Sequence, residues 1–388
     1  MNIMMRRATL ASAASLIAVS GLSLPAQEIR FFFPTPAGSF SVTRDVQYGT
    51  LDTATLRMDV YRPAGASAPA PALIFFNQAI GPQRANDFYV GWARAAASKG
   101  LVAIVPDLHG GEQSAQDFQR LIAHLGERAG DYGIDREAIA VYAGSGNVFT
   151  AFPILEDPKQ TMVKAAAMFY GTAPIREFRR DLPVLYVRAG LDRPGVNGNT
   201  TSGITAIAAS AIAQNAPITV LNHPIGHHAF EMIDDDAATR DVIERTIDFV
   251  KRATAAPYQA ALKRAMPEAT AAAHFISGDF HAAALEYAGI LETNPADSRL
   301  RLSYGEALIG DKQYAAACSQ FDRLRGKGLG PRDLGLPAAR ACLLKGDSAA
   351  AIAWLQTIPK RFLPPSLQQE TVFAPLRGRA DFRALFQP

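Results

Sequence analysis

Residues 140–149 read AVYAGSGNVF. An apolar run climbs to a serine between two glycines, and the residues beyond could open a helix. A serine on a sharp strand-to-helix turn is the geometry of an exposed nucleophile, whose usual signature is G-x-S-x-G. Here the outer positions are Ala143 and Asn147. Ala143 is small enough for the crowding of strand and helix at such a turn; Asn147 is the departure. A serine flanked by glycines is equally a plain loop, so the reading of Ser145 depends on partners elsewhere in the chain.

A serine hydroxyl is a poor nucleophile until a base takes its proton, and the usual base is a histidine held by a carboxylate. Downstream, LPVLYVRAG (residues 182–190) is followed by Leu191 and Asp192. APITVLNH (216–223) is followed by PIGHHAFEMID, which offers His227 and His228. Asp192 lies 47 residues after Ser145, and His228 another 36 on. Each gap holds roughly one helix and one strand. All three residues would then stand along one edge of a sheet, where open α/β sheets bind ligands.

The rest of residues 40–252 supports such a sheet. LRMDVYRP (56–63) alternates and breaks at proline, while ALIFFN (72–77), LVAIVPD (101–107), AIAVYAG (138–144) and AAAMFYG (165–171) are short continuous apolar runs. Runs of this kind are strands buried on both faces. DFYVGWARAAASKG and SAQDFQRLIAHLGERAG lie between them as helices. The expected fold class is α/β, a mostly parallel sheet wrapped by helices, followed by an all-α region.

In the order LRMDVYRP, PALIFFNQAIG, LVAIVPDLHG, AGSGN, VRAGLD and HHAF, residues 40–252 resemble the dienelactone-hydrolase-like branch of the α/β-hydrolases. The resemblance implies an ester hydrolase with Ser145 as nucleophile, His228 as base and Asp192 as its orienting acid. His228 matches because Ala229 and Phe230 follow it; His227 is the close rival. It also implies oxyanion donors at Gly146 and in the loop after the strand LIFF, at Ala79 with Gln78 beside it. The Gln78 side chain could instead brace that loop. Dienelactone hydrolases proper carry cysteine where this chain has Ser145. No metal or organic cofactor is implied. A metal reading of His223 and His227, four residues apart, has no acidic or cysteine partner placed by the sequence. Asp107 at a strand end reads as structural, and Tyr89 and Trp92 as core. Met168, Phe169 and Tyr170 read as either core or the lining of an acyl pocket.

Beyond residue 256 the pattern becomes helix after helix. ISGDFHAAALEYAGILETNP, IGDKQYAAACSQF and KGDSAAAIAWL share Gly278-Asp279, Gly310-Asp311 and Gly346-Asp347, spaced by 32 and 36 residues. Five positions after each glycine stand Ala283, Ala315 and Ala351; seven before stand Ala271, Ser303 and Ala339. From Pro267 to Ile358 this resembles the tetratricopeptide repeat, with FAPLRGRADFRALF as a C-terminal cap; a plain helical bundle is the alternative. Cys318 and Cys342, the chain's two cysteines, could pair or simply pack between helices.

The expected organisation is a signal peptide over 1–26, a hydrolase domain over 27–252 and a repeat domain over 256–388. Arg6 and Arg7, an apolar Ala- and Ser-rich stretch and LPA before Gln27 read as a secretory signal, Sec or twin-arginine, with an uncleaved anchor as the alternative. The mature chain would be periplasmic or secreted. A composition of 48% hydrophobic and 19% charged residues suits a globular protein, and 388 residues exceed one ordinary core. With a net charge of +3 and no long basic run, nucleic acid is not an expected partner. Expected instead are a small-molecule ester and a protein partner on the helical repeats, with no membrane span in the mature chain. Two other functions fit the same residues. One is a catalytically weak hydrolase platform whose repeats bind a protein. The other is a peptidase, since the same triad cuts amides.

Overall fold

The structure is a computed structural model that describes residues 31–51, 54–78, 83–111, 113–175, 177–193 and 200–387. The expected signal peptide and Ala79 lie outside the described residues. Eight strands form one sheet: β1 (Phe40–Leu51), β2 (Ala54–Pro63), β3 (Ala70–Phe75), β4 (Val102–Pro106), β5 (Ile134–Gly144), β6 (Val163–Phe169), β7 (Val184–Ala189) and β8 (Ile218–His223). Their spatial order is β1-β2-β4-β3-β5-β6-β7-β8. Only β2 runs against the others. The mostly parallel α/β sheet expected from the apolar runs is present, with β5, the strand of AIAVYAG, inside it.

The alternation of side chains along each strand loads both faces. Ala72, Ile74 and Phe76 point to one face, packed with Phe118 and Leu121 of α2 (Gln113–Arg128), Phe152 of α3 (Asn147–Glu156) and Ile204 of α4 (Thr200–Ala213). Leu73 and Phe75 point to the other, with Trp92 of α1 (Asp87–Ser98) and Ile243 and Ile247 of α6 (Ala237–Thr254). A short helix, α5 (Phe230–Ile233), precedes α6. Parallel strands must be covered on both faces, and these two apolar layers do it. Trp92 and Tyr89 are core residues, as read from their spacing. Met168 and Phe169 are fully buried, one in each layer.

The helical region follows directly: α7 (Ala256–Ser277), α8 (Phe280–Thr293), α9 (Ser298–Gly310), α10 (Tyr314–Asp322), α11 (Pro331–Leu344), α12 (Ser348–Gln356) and α13 (Ala380–Ala384). Its repeat differs from the spacing of the Gly-Asp pairs. The left-handed residues that close α7, α9 and α11 are Gly278 (φ 83°), Lys312 (φ 61°) and Gly346 (φ 98°), which are evenly 34 residues apart. Each makes the same pair of turn hydrogen bonds: Gly278 N–H to Phe275 O and Asp279 N–H to His274 O, then Lys312 to Ile309 and Gln313 to Leu308, then Gly346 to Leu343 and Asp347 to Cys342. This is the Schellman turn. The buried small residues fall on the same period, Ala271, Gly305 and Ala339 before the turns and Ala283, Ala317 and Ala351 after them. Ser303 and Ala315, the residues expected from the Gly-Asp spacing, are half-buried and exposed. Gly310 is a glycine for packing instead: a Cβ there would lie 2.3 Å from the Phe280 ring.

The middle turn therefore lacks the residue its backbone favours. A left-handed residue with a Cβ costs about 1 kcal/mol relative to glycine. Lys312→Gly is expected to raise the unfolding free energy of the helical region by about that amount, read by chemical denaturation, whereas Gly346→Ala should lower it similarly. No gain from Lys312→Gly would refute the strain. Cys318 of α10 and Cys342 of α11 form a disulfide, with Cα atoms 5.1 Å apart and a sequence separation of 24. No helix among the described residues is long and apolar enough to cross a membrane.

Candidate active site

Ser145 stands between β5 and α3 with φ 56°, a left-handed backbone that a non-glycine residue seldom adopts without tertiary support. The support is visible. Its N–H donates to Phe169 O at 2.9 Å, tying the turn to the end of β6. Gly171 makes room, since a Cβ there would lie 2.2 Å from Ser145 O and 2.6 Å from Val148 Cγ2. The strand thus turns sharply and holds the hydroxyl at the sheet's carboxyl edge.

Asn147, the departure from the signature, has two tertiary partners. Its Oδ1 accepts the Gln78 N–H at 2.8 Å, and its Nδ2 donates to Tyr89 Oη at 3.1 Å. It clamps the turn to the loop after β3 and to α1. Gln78 is accordingly not placed as an oxyanion donor. Its amide is engaged by Asn147, and its Nε2 donates to Thr150 Oγ1 at 2.7 Å, so it braces the loop. Gly146 faces open space, where a Cβ would meet no atom within 4 Å. Asp107 is structural: its Oδ2 accepts from Arg84 Nε at 2.6 Å, and Arg84 also holds Asp45 and Asp59.

The structure brings Ser145, His228 and Asp192 together. Ser145 Oγ lies 2.8 Å from His228 Nε2, and His228 Nδ1 lies 2.9 Å from Asp192 Oδ2. The Asp192 side chain is 2% exposed and that of His228 23%. The two loops that carry them are joined by backbone hydrogen bonds, Gly190 N–H to His223 O at 2.7 Å and Leu191 N–H to Gly226 O at 2.8 Å. Both glycines are needed for this approach: a Cβ on Gly190 would lie 2.3 Å from Pro224 O, and one on Gly226 would lie 2.4 Å from the His223 ring.

His227 points elsewhere. It is 47% exposed, with Nδ1 2.7 Å from Asp234 Oδ1 and its N–H donating to Asp234 Oδ2 at 2.7 Å. His223 is buried with Nε2 3.2 Å from Thr239 Oγ1, and burial lowers its pKa, favouring the neutral ring. Among the described residues no group of three or more His, Cys, Asp or Glu side chains could hold a metal ion.

Two residues stand beside His228: Tyr170, read from the sequence as core or pocket lining, and Glu231, which sequence reasoning passed over. The Tyr170 ring packs against the His228 ring, with centroids 4.6 Å apart. Glu231, three residues beyond His228, is fully buried and accepts hydrogen bonds from Trp92, Tyr142 and Tyr170. Followed closely by Asp234, Asp235 and Asp236, it carries no sequence signal of burial. Exposed apolar side chains flank the site in sequence: Phe149 one turn beyond Ser145, Leu191 next to Asp192, and Ile225 three residues before His228.

No protein-family model matches the chain, and no curated protein matches it. Solved structures do. One of two fungal esterases from Rhizomucor miehei is 10% identical, with 55% of this chain and 83% of that one covered and a TM-score of 0.47. A thermostable esterase from Pseudomonas putida is 13% identical over 57% of this chain and 86% of its own, also with a TM-score of 0.47. An alpha/beta hydrolase enzyme from a Medee basin deep-sea metagenome library is 14% identical over 55% and 98%, with a TM-score of 0.43.

Proposed function

We propose that this chain is an exported serine hydrolase of carboxylic esters, of the dienelactone-hydrolase-like branch, working through Ser145, His228 and Asp192. The observation that carries the reading is the continuous contact from Ser145 Oγ through the His228 ring to Asp192 on a left-handed turn. Ser145 Oγ attacks the ester carbonyl carbon while His228 Nε2 takes its proton. Asp192 holds the ring with Nδ1–H toward itself and stabilises the imidazolium. The oxyanion is held by the Gly146 N–H and a second amide in the loop after β3, for which Ala79 is the candidate. His228 returns the proton to the leaving alcohol, and water, deprotonated by the same nitrogen, releases the acid.

The 34-residue period supports tetratricopeptide-like repeats, whose stacked helices give an extended surface suited to a protein partner. The basic-then-apolar N-terminal stretch supports export to the periplasm or beyond, and the paired cysteines fit an oxidising compartment.

The test is labelling of the whole protein with a fluorophosphonate, which reacts with an activated serine, beside turnover of p-nitrophenyl esters and peptide anilides. Labelling at Ser145 with ester turnover well above anilide turnover is expected. A chain that folds but neither labels nor turns over esters would favour a non-catalytic platform, and dominant anilide cleavage would favour a peptidase.

A further inference from the structure

Glu231 is an ionisable side chain that the acyl-transfer scheme leaves unused. Its Oε1 accepts from Trp92 Nε1 of α1 at 3.2 Å and from Tyr142 Oη of β5 at 3.1 Å. Tyr170 Oη, just past β6, reaches Oε1 at 3.2 Å and Oε2 at 2.9 Å. The Glu231 backbone O accepts the Phe32 N–H at 2.8 Å. Among the described residues no lysine, arginine or histidine pairs with the carboxylate. A buried carboxylate held only by neutral donors is costly.

The donors are placed so that the carboxylate acts on the site. Tyr142 lies on β5, three residues before Ser145, and Tyr170 is the wall against which the His228 ring packs at 4.6 Å. Glu231 itself continues the loop that carries His228. One carboxylate thus joins the nucleophile's strand, the histidine's wall and the histidine's own loop. We propose that Glu231 is a positioning residue for His228: through the Tyr170 hydroxyl it holds the ring that seats the imidazole, and its negative charge favours the imidazolium formed while Ser145 is acylated. The inference rests on Ser145 and His228 being nucleophile and base.

Burial pushes Glu231 up to about 7, opposed by the hydrogen bonds it accepts. Tyr142 and Tyr170 are driven well above their ordinary value by burial, and Tyr89 of α1 is pushed up to about 12 by the same cause, so all three stay neutral. His223, whose ring packs on Phe230, is shifted down by burial, and Asp234 is paired with His227. Asp192 holds the far side of the imidazole. Acidification should therefore remove the charge of Glu231, beside any loss of the general base that the proposed mechanism itself requires.

The test is the second-order rate constant of fluorophosphonate labelling across the range from about pH 5 to pH 9, on the parent protein, Glu231→Gln and Tyr170→Phe, each checked by circular dichroism. In the parent, the acid limb should be steeper than a single protonation gives. Glu231→Gln should lower the plateau roughly tenfold and reduce the limb to one proton, and Tyr170→Phe should lower the plateau by a smaller factor. A folded Glu231→Gln protein with the parent's plateau, or with a lower plateau and an unchanged acid limb, overturns the proposal. If Glu231→Gln fails to fold, Tyr170→Phe decides, and a profile that superimposes on the parent's overturns it. A folded parent that does not label at all removes the nucleophile reading itself and this inference with it.

Discussion

Ser145→Ala is expected to lower kcat/KM for ester hydrolysis by at least about a thousandfold, roughly 4 kcal/mol of transition-state stabilisation. The hydroxyl is the one atom of the site that would bond to the substrate carbon, and it lies 2.8 Å from the nitrogen that would take its proton. Nothing else should change: alanine is smaller, and the left-handed backbone is set by the Phe169 contact and the space at Gly171. Circular dichroism and thermal unfolding should match the parent, and fluorophosphonate labelling should vanish. A folded variant with near-parental turnover would show that Ser145 is not the nucleophile.

The two adjacent histidines should separate just as sharply. His228→Ala removes the imidazole that touches both Ser145 and Asp192, and is expected to cost about three decades or more in kcat/KM. His227→Ala removes a ring half in solvent and paired to Asp234, so its cost should stay within about threefold. Steady-state rates on one activated ester decide. The reverse ranking would move the base to His227, and small equal losses would argue against the triad.

Ser145, Asp192 and His228 could be picked out together because each follows a continuous apolar run. Where parallel strands end on one edge, chain order becomes spatial order. The role of Asn147 could not be read in this way. Its partners Gln78 and Tyr89 lie 69 and 58 residues away, and the pairing exists only once β3, α1 and β5 are side by side. The same contact takes Gln78 out of the oxyanion role that its position suggested. Glu231 was hidden for a different reason. A glutamate in a short amphipathic run looks like a surface residue, and only the three hydroxyl and indole donors around it make its burial tolerable. In the helical region the Gly310-Asp311 pair imitates the motif of its neighbours. The backbone turns two residues later, at a lysine, while Gly310 leaves room for the Phe280 ring.

That lysine turn gives the disulfide a particular meaning. In a stack of helical units each is held by its neighbours alone, so order passes along the stack only as far as its poorest junction allows. The middle unit is that junction: it has Lys312 in the left-handed turn and no side-chain cap at the start of α10. Cys318 belongs to this unit and Cys342 to the next, and closing a loop of 24 residues offsets about 3 to 4 kcal/mol of unfolded-chain freedom. The sulfur bridge is a splice across the weakest link. Because it ties the unit with the strained turn to the next, reducing it is expected to lower the unfolding free energy of the helical region by about that amount. Both cysteines lie in the helical region, so the change begins there.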